Sequence, residues 1–463
     1  MSPGVRTKEI NLDLNGRSKR VRAVRGFTYQ IPLRSRISLW IFFLLVSIPA
    51  SFLVLETTRA VLAQIWASSL NPEVLRRAIA LDPSNPELHF TLGRILLLKA
   101  EPVNQGMAEE EFRKAISMNP HSAIYWSGLG KACYSSGNQP CANAVFGRAQ
   151  ELAPNKPEVA WEVAVNDVVS DQPQSAVGHL RTFLRLQPDG LDQTFQLLMR
   201  GFGDPNLIWR DLLSAAADPA SKLRFLDYLA ANSDFERAGA YWAQLTAEKT
   251  AFPVAAAIPY LEKLLATGHY REAAGVWAYT VRQNGLDEQI GSDRSNLVFN
   301  GGFEQEPLNA GFDWRFSQQP YLALDFSDAT AHTAGRSFRT DFTVPQNSEY
   351  ELAYQLVPVV PGQTYELSAY VKSEAITSDS GPRLRVLDPK CPVCLDTATQ
   401  GTSGTTDWHQ VTIQFTAGPT TDLIRLSFWR PRGRSYPMEI SGKVWFDDIS
   451  LRPIPVSNSS DPR

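Results

Sequence analysis

Between Trp429 and Tyr436 the chain places two aromatic rings and three arginines, Arg430, Arg432 and Arg434. An aromatic face open to a groove packs on the C–H side of a pyranose as apolar surface, and guanidinium groups pair with carboxylates. This run therefore carries chemistry for an acidic or hydroxyl-rich sugar chain, with a solvated charged loop as the competing reading of its arginines. Ile424, Leu426 and Phe428 alternate with Arg425, Ser427 and Trp429, the period of a half-buried strand. That period predicts the first three inward and Trp429 outward, where an exposed indole needs a reason.

The remaining reactive residues point away from catalysis. The six histidines (His89, His121, His179, His269, His332, His409) are scattered. HExxH, GxSxG, a phosphate-binding glycine loop and a metal-ligand cluster are all missing from the sequence, so no enzyme is expected. The four cysteines form two local pairs. Cys391 and Cys394 frame a CxxC in a loop after Asp388-Pro389-Lys390, with no second CxxC to complete a zinc site, and Cys133 and Cys141 flank the turn of one helical hairpin. In an extracytoplasmic body both pairs are expected as disulfides.

Which elements carry these residues follows from the rest of the chain. At 463 residues it is long enough for several domains, and 43% hydrophobic with 20% charged residues excludes a mainly disordered polymer. Residues 1–36 hold nine Lys/Arg against Glu9 and Asp13, leaving 36 basic against 46 acidic residues for the other 427. A mildly acidic body argues against nucleic acid as a partner. Residues 37–55, ISLWIFFLLVSIPASFLVL, carry no charge. As a helix they would reach about 28 Å, close to the ~30 Å hydrocarbon core, so they are expected to anchor the chain in a membrane. The basic leader 1–36 places the N-terminus in the cytoplasm and the body outside. A signal peptide cut at Val61-Leu62-Ala63 competes, but the leader and the apolar core are both long for one.

Proline recurs after helical runs at Pro83, Pro120, Pro154 and Pro188, with spacings of 37, 34 and 34. Trp126, Leu129, Gly130, Ala142, Phe146, Ala149 and Pro154 match, position by position, the tetratricopeptide repeat, which this unit resembles. Leu92, Gly93, Ala108, Phe112, Ala115 and Pro120 repeat the pattern, with a three-residue insertion expected in the turn at Glu101 to Gln105. Leu75, Ala78 and Pro83 supply one further second helix, and Ala176, Leu180 and Phe183, with Ala164 where glycine is usual, a weaker unit. Each hairpin leaves an apolar face that only the next can cover, which requires a stack. Helical hairpins continue to about Leu286, giving an expected solenoid over 71–290 that binds a protein partner, with an ordinary helical bundle as the alternative for its second half.

From Asn296 onward apolar and polar residues alternate: Tyr365, Leu367, Ala369 and Val371 on one side, Glu366, Ser368 and Tyr370 on the other, and Val411, Ile413 and Phe415 against Thr412, Gln414 and Thr416. A sandwich over 295–453 is predicted. It opens with Asn296-Leu297-Val298-Phe299-Asn300-Gly301-Gly302-Phe303-Glu304, reaches Asp313-Trp314, passes Val360-Pro361-Gly362 and Trp408, and closes with Val444-Trp445-Phe446-Asp447-Asp448-Ile449. This order resembles the jelly-roll carbohydrate-binding modules of families 4 and 9. The resemblance implies a glycan ligand, contacted by Trp429, Arg430, Arg432 and Tyr436, and a structural calcium at Glu304 and Asp447, these being solvated or turn-capping acids otherwise. No other cofactor is expected. Trp314 and Trp445 read as core.

The fold class that results is multidomain: one transmembrane helix, an all-α tetratricopeptide-like solenoid, an all-β jelly-roll sandwich, and a disordered tail over 454–463. A single-pass protein of a bacterial inner membrane, its body periplasmic, is expected to act as a scaffold in exopolysaccharide or cell-envelope polysaccharide assembly. An envelope assembly chaperone and a non-catalytic accessory subunit of a polysaccharide-modifying enzyme are the alternatives.

Overall fold

A computed structural model describes residues 36–99, 102–214, 218–286, 295–333 and 335–455. The basic leader before Arg36, the change of texture near Gly291 and the expected tail from residue 456 lie outside the described residues. The chain divides into two compact units, 1–136 and 137–463.

The first unit opens with α1 (Arg36–Ala67), a 32-residue helix with Pro49 inside it, long and apolar enough to cross a membrane. Then come α2 (Pro72–Leu81), α3 (Pro86–Leu98), α4 (Pro102–Met118) and α5 (Ala123–Ser135). Their starts follow from local chemistry. The Asn71 and Asn85 side chains accept the backbone N–H of Glu73 and Glu87, each followed by proline at the first helical position, where its missing N–H costs nothing. Leu75, Ala78, Leu92, Ala108, Phe112 and Ala115 are all buried. A Cβ on Gly93 would lie 2.9 Å from the Phe112 ring and one on Gly128 2.6 Å from it. Glycine there is what lets the helices close over that ring. The three extra residues of this repeat lie in the helix, not in the expected turn, for α4 starts at Pro102 and has 17 residues against 14 in its counterparts α6 (Gln139–Leu152) and α8 (Pro173–Leu186).

In the second unit α6, α7 (Pro157–Val169) and α8 continue the hairpins, with Ala142, Phe146, Ala149, Ala164, Ala176, Leu180 and Phe183 buried. α9 (Leu191–Gly201) is partnered by a single π-helical stretch, Leu207–Leu212, which buries Leu207, Ile208, Trp209 and Leu212 where the 34-residue period fades. α10 (Pro219–Ala231), α11 (Phe235–Ala247), α12 (Val254–Ala266) and α13 (Tyr270–Gln283) form two further hairpins.

The β domain is a sandwich of two antiparallel five-stranded sheets. Its strands are β1 (Arg315–Phe316), β2 (Leu322–Asp328), β3 (Ser337–Gln346), β4 (Tyr350–Pro358), β5 (Thr364–Ile376), β6 (Arg383–Leu387), β7 (Asp396–Ala398), β8 (Gly404–Thr416), β9 (Leu423–Arg430) and β10 (Ile440–Pro453). One sheet has the order β1-β4-β9-β6-β7, the other β2-β3-β10-β5-β8. Tyr365, Leu367, Ala369, Val371, Ile424, Leu426 and Phe428 point inward as the alternation requires. Trp314 and Trp445 are also buried.

The last helices and the sandwich share a hydrophobic cluster in which Phe299, Phe312 and Leu423 join Leu261, Trp277 and their neighbours. Trp277 stacks edge-on with Phe299 and Phe312 at 5.1 and 6.3 Å. Arg315 donates to both Glu262 carboxylate oxygens at 3.0 and 2.7 Å, and the Gly311 N–H donates to Glu262 at 2.7 Å. The sandwich therefore covers the terminal apolar face of the helices, as a capping repeat would.

Candidate functional site: the outer face of the β4–β9–β6 sheet

Strand β9 lies between β4 and β6, and its outward residues set the site. Trp429 pairs across the strands with Glu351 on β4 and with Arg383 on β6. The indole is half-buried, not freely exposed. Its Nε1 donates to Glu349 at 2.7 Å, and the Arg385 guanidinium lies over the ring at 4.5 Å. Arg385 in turn donates from Nε and Nη2 to the two Asp396 oxygens at 2.7 Å each. These bonds hold the Asp396 carboxyl below its ordinary range and push the Arg385 guanidinium up. A second ring repeats the arrangement: Tyr354 lies 3.6 Å under Arg425, whose Nε donates to Glu351 at 2.9 Å. The face is thus two aromatic rings, each covered by an arginine that a carboxylate locks in place.

Arg383 differs from both. Its donors reach only the Gly381 carbonyl at 3.3 Å and the Ser380 hydroxyl at 3.5 Å, with no carboxylate in ion-pair range among the described residues. Burial lowers its guanidinium pKa. Beside Trp429 it is a half-buried cation with donor capacity to spare for the hydroxyl or carboxylate oxygens of a ligand.

Arg430 is a correction. It is not on the binding face but wholly buried, and its five hydrogen bonds run to Ser380 O, Asn347 Oδ1, Ser348 O, Ser378 Oγ and Met438 O. The alternation that turns Phe428 inward turns Arg430 inward too, and the loops at the strand end close over its guanidinium. Arg432 and Tyr436 sit in the β9–β10 loop, Tyr436 94% exposed, and no ring contact joins Tyr436 to Trp429 among the described residues. Ser427 faces outward by register yet is buried.

The two acids expected at a metal are brought together. Segment 296–304 pairs with β10, Ile449 donating to Gly301 O at 2.9 Å and Leu297 to Leu451 O at 2.9 Å. A bulge in β10 between Asp447 and Ser450, with Asp448 at φ +50°, sets two consecutive acids at one place. A Cβ on Gly302 would lie 3.9 Å from Asp447 Oδ1, 4.0 Å from Asp448 Oδ1 and 4.0 Å from Glu304 Cγ. Asp447 accepts the His332 N–H at 2.7 Å, and burial, with the Asp448 charge adding, pushes its carboxyl up to about 6. Glu304 is exposed with its carboxylate against Gly335, and the ligand oxygens of Glu304, Asp447 and Asp448 do not all lie within 4.8 Å of one another, so the three acids border Gly302 without forming a ready-made donor set for a divalent cation.

Alternation alone also marked Tyr370 as outward, without assigning it a role. It stacks on His332 at 3.5 Å, and His332 meets Trp408 edge-on at 5.8 Å, an aromatic row on the opposite sheet. Cys391 and Cys394 are joined in a disulfide, and Cys133 and Cys141 are disulfide-bonded as well.

No family model matches the sequence, and no curated relative does. Among solved structures the chain is similar to a family 4 carbohydrate-binding module, 18% identical over 34% of this chain and 99% of that one with a TM-score of 0.26. It is similar also to the Pseudomonas aeruginosa pilF protein, 18% identical over 49% and 91%, TM-score 0.28. A tetratricopeptide protein of Thermus thermophilus is 17% identical over 38% and 98%, TM-score 0.28.

Proposed function

We propose that this chain is a membrane-anchored, non-catalytic scaffold whose helical repeats hold a protein partner and whose β domain binds glycan on the outer face of the β4–β9–β6 sheet. The observation that carries the reading is Arg383 beside Trp429: a half-buried cation with no carboxylate in ion-pair range among the described residues, Asp379 acting on it only at longer range, next to an aromatic ring on an otherwise charge-paired face. Arg383 and Glu349 supply a donor and an acceptor for sugar hydroxyls, Trp429 supplies apolar surface, and an acidic sugar competes with Asp396 for Arg385. A calcium ion at Glu304 and Asp447 belongs to the proposal too, and it would require the Glu304 carboxylate to turn from Gly335 toward Asp447 and water to complete the shell. With α1 as a single span, N-terminus inside, the body is periplasmic, and exopolysaccharide or envelope-polysaccharide assembly is the setting that uses every part.

Glycan-array binding of the detergent-solubilised full chain tests this. Neutral and acidic bacterial polysaccharides should be retained by the wild type, with Trp429→Ala and Arg383→Ala each abolishing retention at an unchanged melting temperature. Absence of any retained glycan, or variants that bind as the wild type does, would refute the reading.

A further inference from the structure

We propose that α1 is one helix with two roles: its first part crosses the bilayer and its last turns are the first helix of the first repeat, so that the array stands on its own membrane span without a linker. The inference rests on the membrane-span reading above and goes beyond it.

The sequence pattern leaves Leu75, Ala78 and Pro83 as a second helix without a first. The structure supplies the missing one. Every residue of α1 from Trp40 to Leu62 is exposed, but Ala63 is wholly buried, and Trp66 and Ala67 are half-buried. Ala63 packs with Ala78 of α2 and Leu88 of α3, joined by Trp66, Ala67, Ile79 and Leu81. Ala63 against Ala78 is a small-on-small approach of two helices, the same device as the glycines around Phe112. Nothing between Glu56 and Ala67 breaks a helix, so α1 continues past the expected end at Leu55.

Length agrees. The 32 residues of α1 reach about 48 Å, and a hydrocarbon core takes up ~30 Å. The surplus is close to the roughly 15 Å of the ten-residue α2, which folds back along α1 after a short turn. α2 cannot enter hydrocarbon, since Glu73, Arg76 and Arg77 are exposed on it. The bilayer surface then falls near Glu56 and Arg59, the first charges after Arg36, which pair at 3.3 Å. The α2–α3 turn at Asp82 to Asn85 comes to headgroup level. Cleavage after Ala63 would cut through the packed α1–α2 contact, which removes the physical basis of the signal-peptide alternative.

Single-cysteine variants of the full chain in native membranes test the boundary, since no described native cysteine is free to react. With a membrane-impermeant maleimide, Val46→Cys should stay unlabelled while Thr58→Cys and Ile65→Cys are labelled, in a protein of full-length mass. Ala63→Leu should speed hydrogen exchange in α2 and leave this labelling pattern unchanged. A product shortened to begin after Ala63, or an Ile65→Cys as protected as Val46→Cys in a protein that resists carbonate extraction, overturns the shared-helix inference alone. Release of the full-length protein by carbonate overturns the membrane span and this inference with it.

Discussion

Replacing Arg430 by methionine should destabilise the β domain whether or not a ligand is present. The guanidinium spends all its donors on three separate segments: Asn347 and Ser348 ahead of β4, Ser378 and Ser380 after β5, and Met438 ahead of β10. Methionine keeps much of the volume but removes five donors at once; Asn347 Oδ1 keeps the Gly433 N–H, Ser378 Oγ the Ser380 N–H and Met438 O the Ser378 hydroxyl, while the Ser348 and Ser380 carbonyls lose the guanidinium outright. Breaking one side of a buried charged network costs about 3–5 kcal/mol, five bonds of this kind not being additive. For a domain of this size that lowers the melting temperature by roughly 6 to 20 °C. Arg430→Lys keeps the charge but only a point donor and should recover a minor part of the loss. The assay is near-ultraviolet circular dichroism of the solubilised full chain, which follows the buried Trp314 and Trp445, with glycan retention measured in parallel below both melting temperatures. An unchanged melting temperature together with lost glycan retention would refute the structural assignment and return Arg430 to the binding face.

Asp313 is buried, and burial pushes its carboxyl up to about 6 despite backbone donors from Leu308 and Trp314. A folded pKa above the unfolded one means this group's stabilisation is complete below about pH 4 and lost as pH rises through about 6, at most ~3 kcal/mol; Asp313→Asn should flatten the melting-temperature profile between pH 4 and pH 7.5, and superimposable profiles would refute the shift. Gly311 has φ +60° and a Cβ there would lie 2.5 Å from the Trp277 ring, so Gly311→Ala should cost about 2–4 kcal/mol, with the far-ultraviolet helical signal and the tryptophan signal moving together. A helical transition indifferent to the change would show the cap to be dispensable.

The parts of the fold that could be read in the sequence are those where one period rules. The 34-residue spacing found Ala108, Phe112, Ala142 and Phe146 because each repeat solves the same packing problem, and period-two alternation found Tyr365 to Val371 because one face of that sheet is core. Where a residue answers to a longer-range partner, the pattern goes silent. Leu207–Leu212 forms a π-helix because it packs the array after the period has faded, and nothing local announces it. The sandwich as a cap depends on Gly311 meeting Trp277 and on Arg315 meeting Glu262 across some fifty residues, a match that no local signal carries.

At the candidate site the same limit appears in sharper form. Trp429 faces outward by parity, and the same parity turns its neighbour Arg430 to the interior, so adjacency in the chain does not place the two on one face. Composition tempts one to count arginines near a tryptophan as ligands, but one face of each of the Trp429 and Tyr354 rings is already taken by Arg385 of β6 and Arg425 of β9. Those partners become visible only once strand order is known, since β9 sits between strands that precede it by some forty and seventy residues. What separates a binding cation from a structural one on this sheet is then its partner list. Arg385 and Arg425 hold carboxylates, Arg430 holds loops, and Arg383 alone of these four has neither, its donors reaching only the Gly381 carbonyl and the Ser380 hydroxyl among the described residues.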